Sequence, residues 1–192
     1  MRDAAALNAL VLASGNPHKL DELRRALPGW EIGLVSAGDP PPEDGETYED
    51  NARIKARWGR EHAPADAWAV GEDSGIEAAA LDGRPGVHTA RWADGDPVGR
   101  MLAALATDED RRAQYVCVIV AVAPDGREVV ARGTLDGAIS RATAGTEGFG
   151  FDPVFVPDGE IRTVAELGDD WKRQHSHRAH AAAALASALE AS

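Results

Sequence analysis

Apolar residues in this chain gather into short dense runs separated by stretches with a helical repeat. The dense runs are bounded by turn residues and predict buried strands at LNALVLAS (7–14), EIGLVSA (31–37) and the opening of AWAVGEDSGIEAAAL (67–81). YVCVIVAVA (115–123) and REVVARGTLDGAIS (127–140) predict two more, joined by the Pro-Asp-Gly turn at 124–126. Helical spacing appears at NPHKLDELRRAL (16–27), where Leu20, Leu23 and Leu27 share a face. It returns at 47–63 and 97–106, and an Ala-rich helix closes the chain from about Ser176. GDPPPEDGE (38–46) reads as a Pro-rich loop and AGTEGFGFDP (144–153) as a Gly-rich one. Strands and helices alternate with a late hairpin, which predicts an α/β fold on a mixed sheet. There is no internal repeat and no clear linker, so a single domain over 1–192 is expected.

Composition narrows the partners. Hydrophobic residues make up 44% and charged residues 27% of the chain, an ordinary balance for a water-exposed globular protein. A net charge of −12 argues against nucleic acid as the main partner, since a polyanion needs a basic face. A small anion held by a few lysines and arginines remains compatible with it. Cys117, the single cysteine, lies inside an apolar run and reads as a core thiol, so no disulfide framework is expected and a cytoplasmic location follows. The opening MRDAAALNALVLAS has a superficial likeness to a signal peptide, but Asp3 and Asn8 interrupt it and a first strand is the better reading. No stretch reaches the length of a membrane span, so no membrane partner is expected.

Candidate chemistry sits where elements meet. In SGNPHK, Ser14 to Lys19, a turn opens a helix and presents free backbone N–H groups, a natural phosphate seat. Asn16 capping that helix, with Pro17 in its first position, explains the same residues structurally. In TYEDNARIKA, Thr47 and Asp50 fit a capping box, while Asn51 and Lys55 form a polar stripe at i and i+4. In GEDSG an apolar strand ends in Glu72 and Asp73. Buried charge there is costly unless it is paired or used, and two carboxylates beside a phosphate seat can hold Mg²⁺ or accept a proton from water. Phe149 and Phe151, flanked by Gly148 and Gly150, suit either stacking on a flat ring or plugging the loop. His175, His177 and His180 lack the shared helical face and the cysteine support of a zinc site. Ser176 can cap the final helix, and His177 and Arg178 would then supply donors to an acceptor group.

Taken in order, SGNPHKLDE, GETYEDNARIKAR, EDSGIE, GRPGVHTARW, GTEGFGFDPVF and the Lys172…SHR segment resemble the inosine triphosphate pyrophosphatase (Ham1-like) family, from about residue 10 to the end. The resemblance implies an elongated two-lobed α/β fold with helices flanking a central cleft, usually as a homodimer. It implies hydrolysis of ITP, dITP and XTP to the monophosphate and pyrophosphate with Mg²⁺, clearing deaminated purines from the nucleotide pool. By motif match, Ser14, Gly15, Asn16, Pro17, His18 and Lys19 would cradle the triphosphate, with Lys55 and Lys172 as further phosphate contacts. Asp73 matches the proton acceptor and a metal ligand, with Asp50 and Glu72 as further metal-site carboxylates. Ser74, Phe149, Gly150, Phe151 and Asp152 would contact substrate, and His177 and Arg178 match the base-reading pair.

The chain departs from the family pattern at three places. Glu72 stands where many members have Asp, Phe151 stands where Tyr or Trp is usual, and ADGDPVGRML after the TARW block is short. Two rival readings are a Maf-like nucleotide pyrophosphatase and a nucleotide sensor without turnover. The SHR and GFGFDP blocks oppose the first; Lys19, Asp50, Asp73 and Lys172 oppose the second.

Overall fold

The structure is a computed structural model that describes residues 9–14, 16–36, 38, 41–93 and 95–191. Six strands form one sheet in the order β2-β1-β3-β4-β5-β6: β1 (Ala9–Leu12), β2 (Glu31–Leu34), β3 (Trp68–Ala78), β4 (Arg112–Val122), β5 (Glu128–Ile139) and β6 (Phe155–Pro157). β1 pairs in parallel with both β2 and β3, whereas β5 and β6 are antiparallel, so the sheet is mixed as the sequence predicts. The helices are α1 (Pro17–Ala26), α2 (Tyr48–His62), α3 (Thr89–Ala93), α4 (Pro97–Ala104), α5 (Val164–His175) and α6 (His177–Glu190). None of them, among the described residues, is long and apolar enough to cross a membrane. The chain divides into two compact units, Met1–Asp73 with Val118–Gly133 and Ala181–Ser192, and Ser74–Cys117 with Thr134–His180.

In the first unit the α1 leucine stripe is buried as its spacing requires, Leu20, Leu23 and Leu27 all lying in the core. Each such burial contributes about 1.5–3 kcal/mol. α2 begins with the capping box: Thr47 Oγ1 accepts from Asp50 N at 3.1 Å, and Asp50 Oδ2 accepts from Thr47 N at 3.1 Å. Small residues then let α2 lie directly on β3. A Cβ on Gly71 would sit 2.0 Å from the Ala52 carbonyl oxygen and 2.5 Å from the Ala56 nitrogen, so only glycine permits this approach. Arg53 and Arg57 tie the outer face of α2 to Glu128 at 3.0 and 2.8 Å.

The second unit has its own core, built from Ile76, Met101, Leu105, Tyr115, Ile139, Phe151, Val154, Phe155 and Val164. Asp96 caps α4 by accepting from Gly99 N at 2.8 Å, with Pro97 in the first position of the helix. Thr163 and Glu166 form a second capping box at the start of α5.

Three elements lie outside the sequence expectation: α3, β6 and α5. α3 and β6 are too short for a periodic signal. α5 is broken by Gly168, whose backbone adopts φ 84° and ψ 174°, so no continuous helical repeat runs through it. The 67–81 run ends as a strand at Ala78 and turns through a 3₁₀ segment at Ala79–Leu81. β4 starts at Arg112 rather than Tyr115, because its first residues alternate between exposed and buried.

Candidate active site

Chemistry-bearing side chains gather into one cluster in each unit. In the first unit β1 leads into α1 through Ser14, whose Oγ accepts from Asn16 N at 3.1 Å. Gly15 lies outside the described residues, and the side chains of Pro17 and His18 are likewise not described. Lys19, in the first turn of α1, reaches β3, its Nζ 3.0 Å from Glu72 Oε2. From α2, Lys55 Nζ lies 2.5 Å from Glu43 Oε1 and 3.6 Å from Asp73 Oδ1. Asn51 completes the arrangement. Its Oδ1 accepts from Gly45 N at 2.8 Å, which turns its Nδ2 to donate to Asp73 Oδ2 at 3.0 Å.

This cluster is nearly dry, with Asn51, Lys55, Glu72 and Asp73 all buried. Three carboxylates face two lysines, which leaves residual negative charge. Burial pushes the Asp73 carboxyl above its ordinary range, and the Lys55 charge, the Asn51 hydrogen bond and the Lys19 charge offset this only in part. Burial acts on Glu43 as well, but the hydrogen bond and charge of Lys55 and the charge of Lys19 outweigh it and hold Glu43 below the usual carboxylate value. A raised carboxyl basicity suits a proton acceptor, and residual negative charge suits a divalent cation. Among the described residues no group of three His, Cys, Asp or Glu side chains could hold a metal ion by themselves. Mg²⁺ fits such a donor set, because it commonly takes one or two carboxylates and completes its shell with phosphate and water.

The contacts seen for Asp50 are those of the α2 cap. Its carboxylate is occupied by the α2 cap, with Oδ2 taking both the amide and the hydroxyl of Thr47. The structural reading of that residue accounts for its contacts. Glu43 is missing from the sequence expectation, and Asn51 was singled out there without a site role. Asn51 was legible as the i−4 neighbour of Lys55. Glu43 sits in an aperiodic loop and reaches Lys55 only through the fold.

In the second unit the loop from 144 to 153 and the start of α6 meet. The two phenylalanines separate here. The Phe151 ring is buried in the core, tilted at 6.5 Å from Trp92, and so is the plug of its loop. Phe149 is 39% exposed and stands just before the turn at Gly150, where φ is 62°. Asp152 folds back beneath this loop, Oδ2 accepting from Phe149 N at 2.8 Å and from Lys172 Nζ at 2.8 Å. Lys172 Nζ also lies 4.3 Å from the Phe149 ring centroid. Lys172, expected as a phosphate contact, is thus a member of this aromatic cluster.

Ser176 caps α6 by accepting from Ala179 N at 3.1 Å, which projects His177 and Arg178 from its first turn. Arg178 is buried and donates to Ser74 Oγ at 3.2 Å. Burial pushes its guanidinium down to about 10. The three histidines diverge: His175 packs on Trp171, His177 stacks on Tyr115, and His180 Nδ1 donates to the Thr134 carbonyl at 2.8 Å.

The chain is similar to known proteins over nearly its whole length. Residues 10–188 match the model of the Ham1 family. The dITP/XTP pyrophosphatase of Bdellovibrio bacteriovorus is 41% identical, covering 94% of this chain and 97% of its own. The dITP/XTP pyrophosphatase of Mycobacteroides abscessus is 44% identical, covering 92% of each. Among solved structures, the Staphylococcus aureus Ham1 protein superposes with a TM-score of 0.83 at 34% identity, covering 96% of this chain and 99% of that one.

Proposed function

The chain belongs to the Ham1 family, and from that premise we propose that it is a nucleoside triphosphate pyrophosphatase that hydrolyses ITP, dITP and XTP to the monophosphate and pyrophosphate. The observation that carries the reading is Asp73, a buried carboxylate of raised basicity held by Asn51 and Lys55 beside the α1 phosphate seat. A water oxygen bonds to a phosphorus at the α–β bridge and the bridging P–O bond breaks. The water's proton passes to Asp73, and the bond's electrons leave with pyrophosphate when the α phosphorus is attacked or with the monophosphate when the β phosphorus is. Proton acceptance of this kind contributes about 10²–10⁴ in rate. Lys19 and Lys55 offset the charge of the departing group. Glu72 and Asp73 are the carboxylates that would hold Mg²⁺, which when bound would draw charge from the phosphate oxygens.

The second cluster handles the base. Phe149 supplies the stacking face, with Lys172 and Asp152 beneath it. Arg178 and an N–H of His177 donate to the 6-keto oxygen of a deaminated purine. A 6-amino group presents donors of its own at that point and leaves buried donors unmatched, which is a heavy penalty. Asp73 and Ser74 are consecutive on β3, so one strand carries both the reacting carboxylate and the Arg178 partner. A homodimer, a single functional domain and a cytoplasmic location belong to the same proposal; light scattering after gel filtration tests the first.

The test is initial-rate hydrolysis of ITP, XTP, dITP, GTP, ATP and dTTP with Mg²⁺, assaying pyrophosphate and orthophosphate separately. Pyrophosphate release favouring ITP, XTP and dITP is expected. Orthophosphate release, a preference for ATP or dTTP, or binding without turnover would overturn the proposal. Running the reaction in ¹⁸O-water locates the attack, label in the monophosphate meaning α phosphorus.

A further inference from the structure

One aromatic side chain that the mechanism does not use touches both halves of the base-side cluster. Tyr115, on β4, is only 8% exposed. Its ring lies parallel to the His177 imidazole, centroids 4.6 Å apart and planes within 6°. Its other neighbour is Phe155, tilted at 4.5 Å, which supports the ring from the core. Its hydroxyl donates to Asp152 Oδ1 at 3.4 Å, the oxygen opposite the one that takes Phe149 N and Lys172 Nζ. The phenol stays protonated, because burial and then the Asp152 charge push its pKa well above 10.

A histidine in the first turn of a helix has a broad χ2 and no ladder to fix its plane. A parallel aromatic face supplies that restraint, and aromatic pairs of this kind contribute about 0.5–1.5 kcal/mol beyond their burial. The ring N–H groups lie in the imidazole plane, so fixing the plane fixes where they point. We propose that Tyr115 is a positioning residue for base recognition, its ring holding the His177 plane against the incoming purine. This rests on the proposed function, since it presumes that His177 reads the base.

Tyr115→Leu removes the ring, and Tyr115→Phe keeps the ring but removes the hydroxyl. For Tyr115→Leu the expected result is a rise of about tenfold in KM for ITP with kcat held within about threefold. The ratio of kcat/KM for ITP over ATP should fall about tenfold, or about 1.4 kcal/mol. Tyr115→Phe should stay within about threefold of wild type in every constant. In parallel, the imidazole proton resonances of His177, assigned with His177→Gln, should sit upfield in wild type and Tyr115→Phe and move downfield in Tyr115→Leu. Tyr115→Met, whose unbranched side chain adapts more readily to the gap, replaces Tyr115→Leu if the latter does not fold.

A Leu or Met variant with the wild-type ITP preference would overturn the inference. So would equal losses in kcat for ITP and ATP with the His177 resonances unmoved, which is the signature of a merely structural ring. A wild-type enzyme with no preference for ITP over ATP would instead overturn the proposed function, and the base-reading role of Tyr115 with it. The resonance shift needs no substrate and tells the two failures apart, because it reports the stack whether or not the base reading holds.

Discussion

Gly71→Ala tests how the first cluster is assembled without touching any of its polar groups. The added methyl would lie 2.0 Å from the Ala52 carbonyl oxygen, 2.5 Å from the Ala56 nitrogen and 2.9 Å from Lys55 Cβ. Two of these are helix backbone atoms, so no rotamer change relieves the overlap. Ordinary contact begins near 3.4 Å, which requires α2 and β3 to separate by roughly 1.4 Å at that point. Asn51 and Lys55 ride on that stretch of α2, and their 3.0 and 3.6 Å contacts to Asp73 would stretch with it. Overpacking of this kind costs about 1–3 kcal/mol of stability. A misplacement near 1 Å costs on the order of 10²-fold in rate. Urea unfolding and pyrophosphate release from ITP, the latter measured below the onset of unfolding, should show both losses. Gly33→Ala is the control, since a Cβ there meets nothing within 4 Å. Wild-type stability in Gly71→Ala, or a kcat/KM within about twofold of wild type, would refute the claim that the α2–β3 approach sets the Asp73 geometry.

Two further outcomes follow from the same contacts. Glu128 is held below its ordinary pKa by hydrogen bonds from Arg57 and Arg53, so its contribution is present above the unfolded-state value of 4.5 and is lost as pH falls through the lowered one. Glu128→Gln should cost ~0.5–1 kcal/mol at neutral pH by urea unfolding, and the gap to wild type should close in acid; a pH-independent gap would contradict this. Arg178→Met removes a buried guanidinium whose charge is disfavoured by burial. Its thermal midpoint should match or exceed wild type, while kcat/KM for ITP falls about 10²-fold; retained ITP preference would remove Arg178 from base recognition.

What the sequence disclosed depended on how local each cause is. The Thr47–Asp50 capping box was legible because both partners lie within one turn, and the α1 leucines because their spacing alone selects a buried face. The same locality allowed two uses for Asp50, and its contacts turn out to be those of the cap. Phe149 and Phe151 could not be separated by composition, since only the packing against Trp92 says which ring is the plug. α5 was hidden by the Gly168 break in its repeat. Glu43 is joined to Lys55 through an aperiodic loop, and Tyr115 lies in a run whose apolar neighbours make it read as ordinary core. Long-range contacts of that sort leave no mark in spacing.

The central claim is that Asp73 accepts the proton in pyrophosphate release, and single-turnover hydrolysis of ITP by Asp73→Asn tests it most directly. Burial raises the Asp73 pKa, so its ionised form is disfavoured by folding at neutral pH and a neutral amide should leave stability equal or higher. The account predicts a folded variant, at least as stable as wild type, whose rate of pyrophosphate release is about 10²–10⁴ lower. A rate within about threefold of wild type would place the proton acceptor elsewhere and contradict the mechanism.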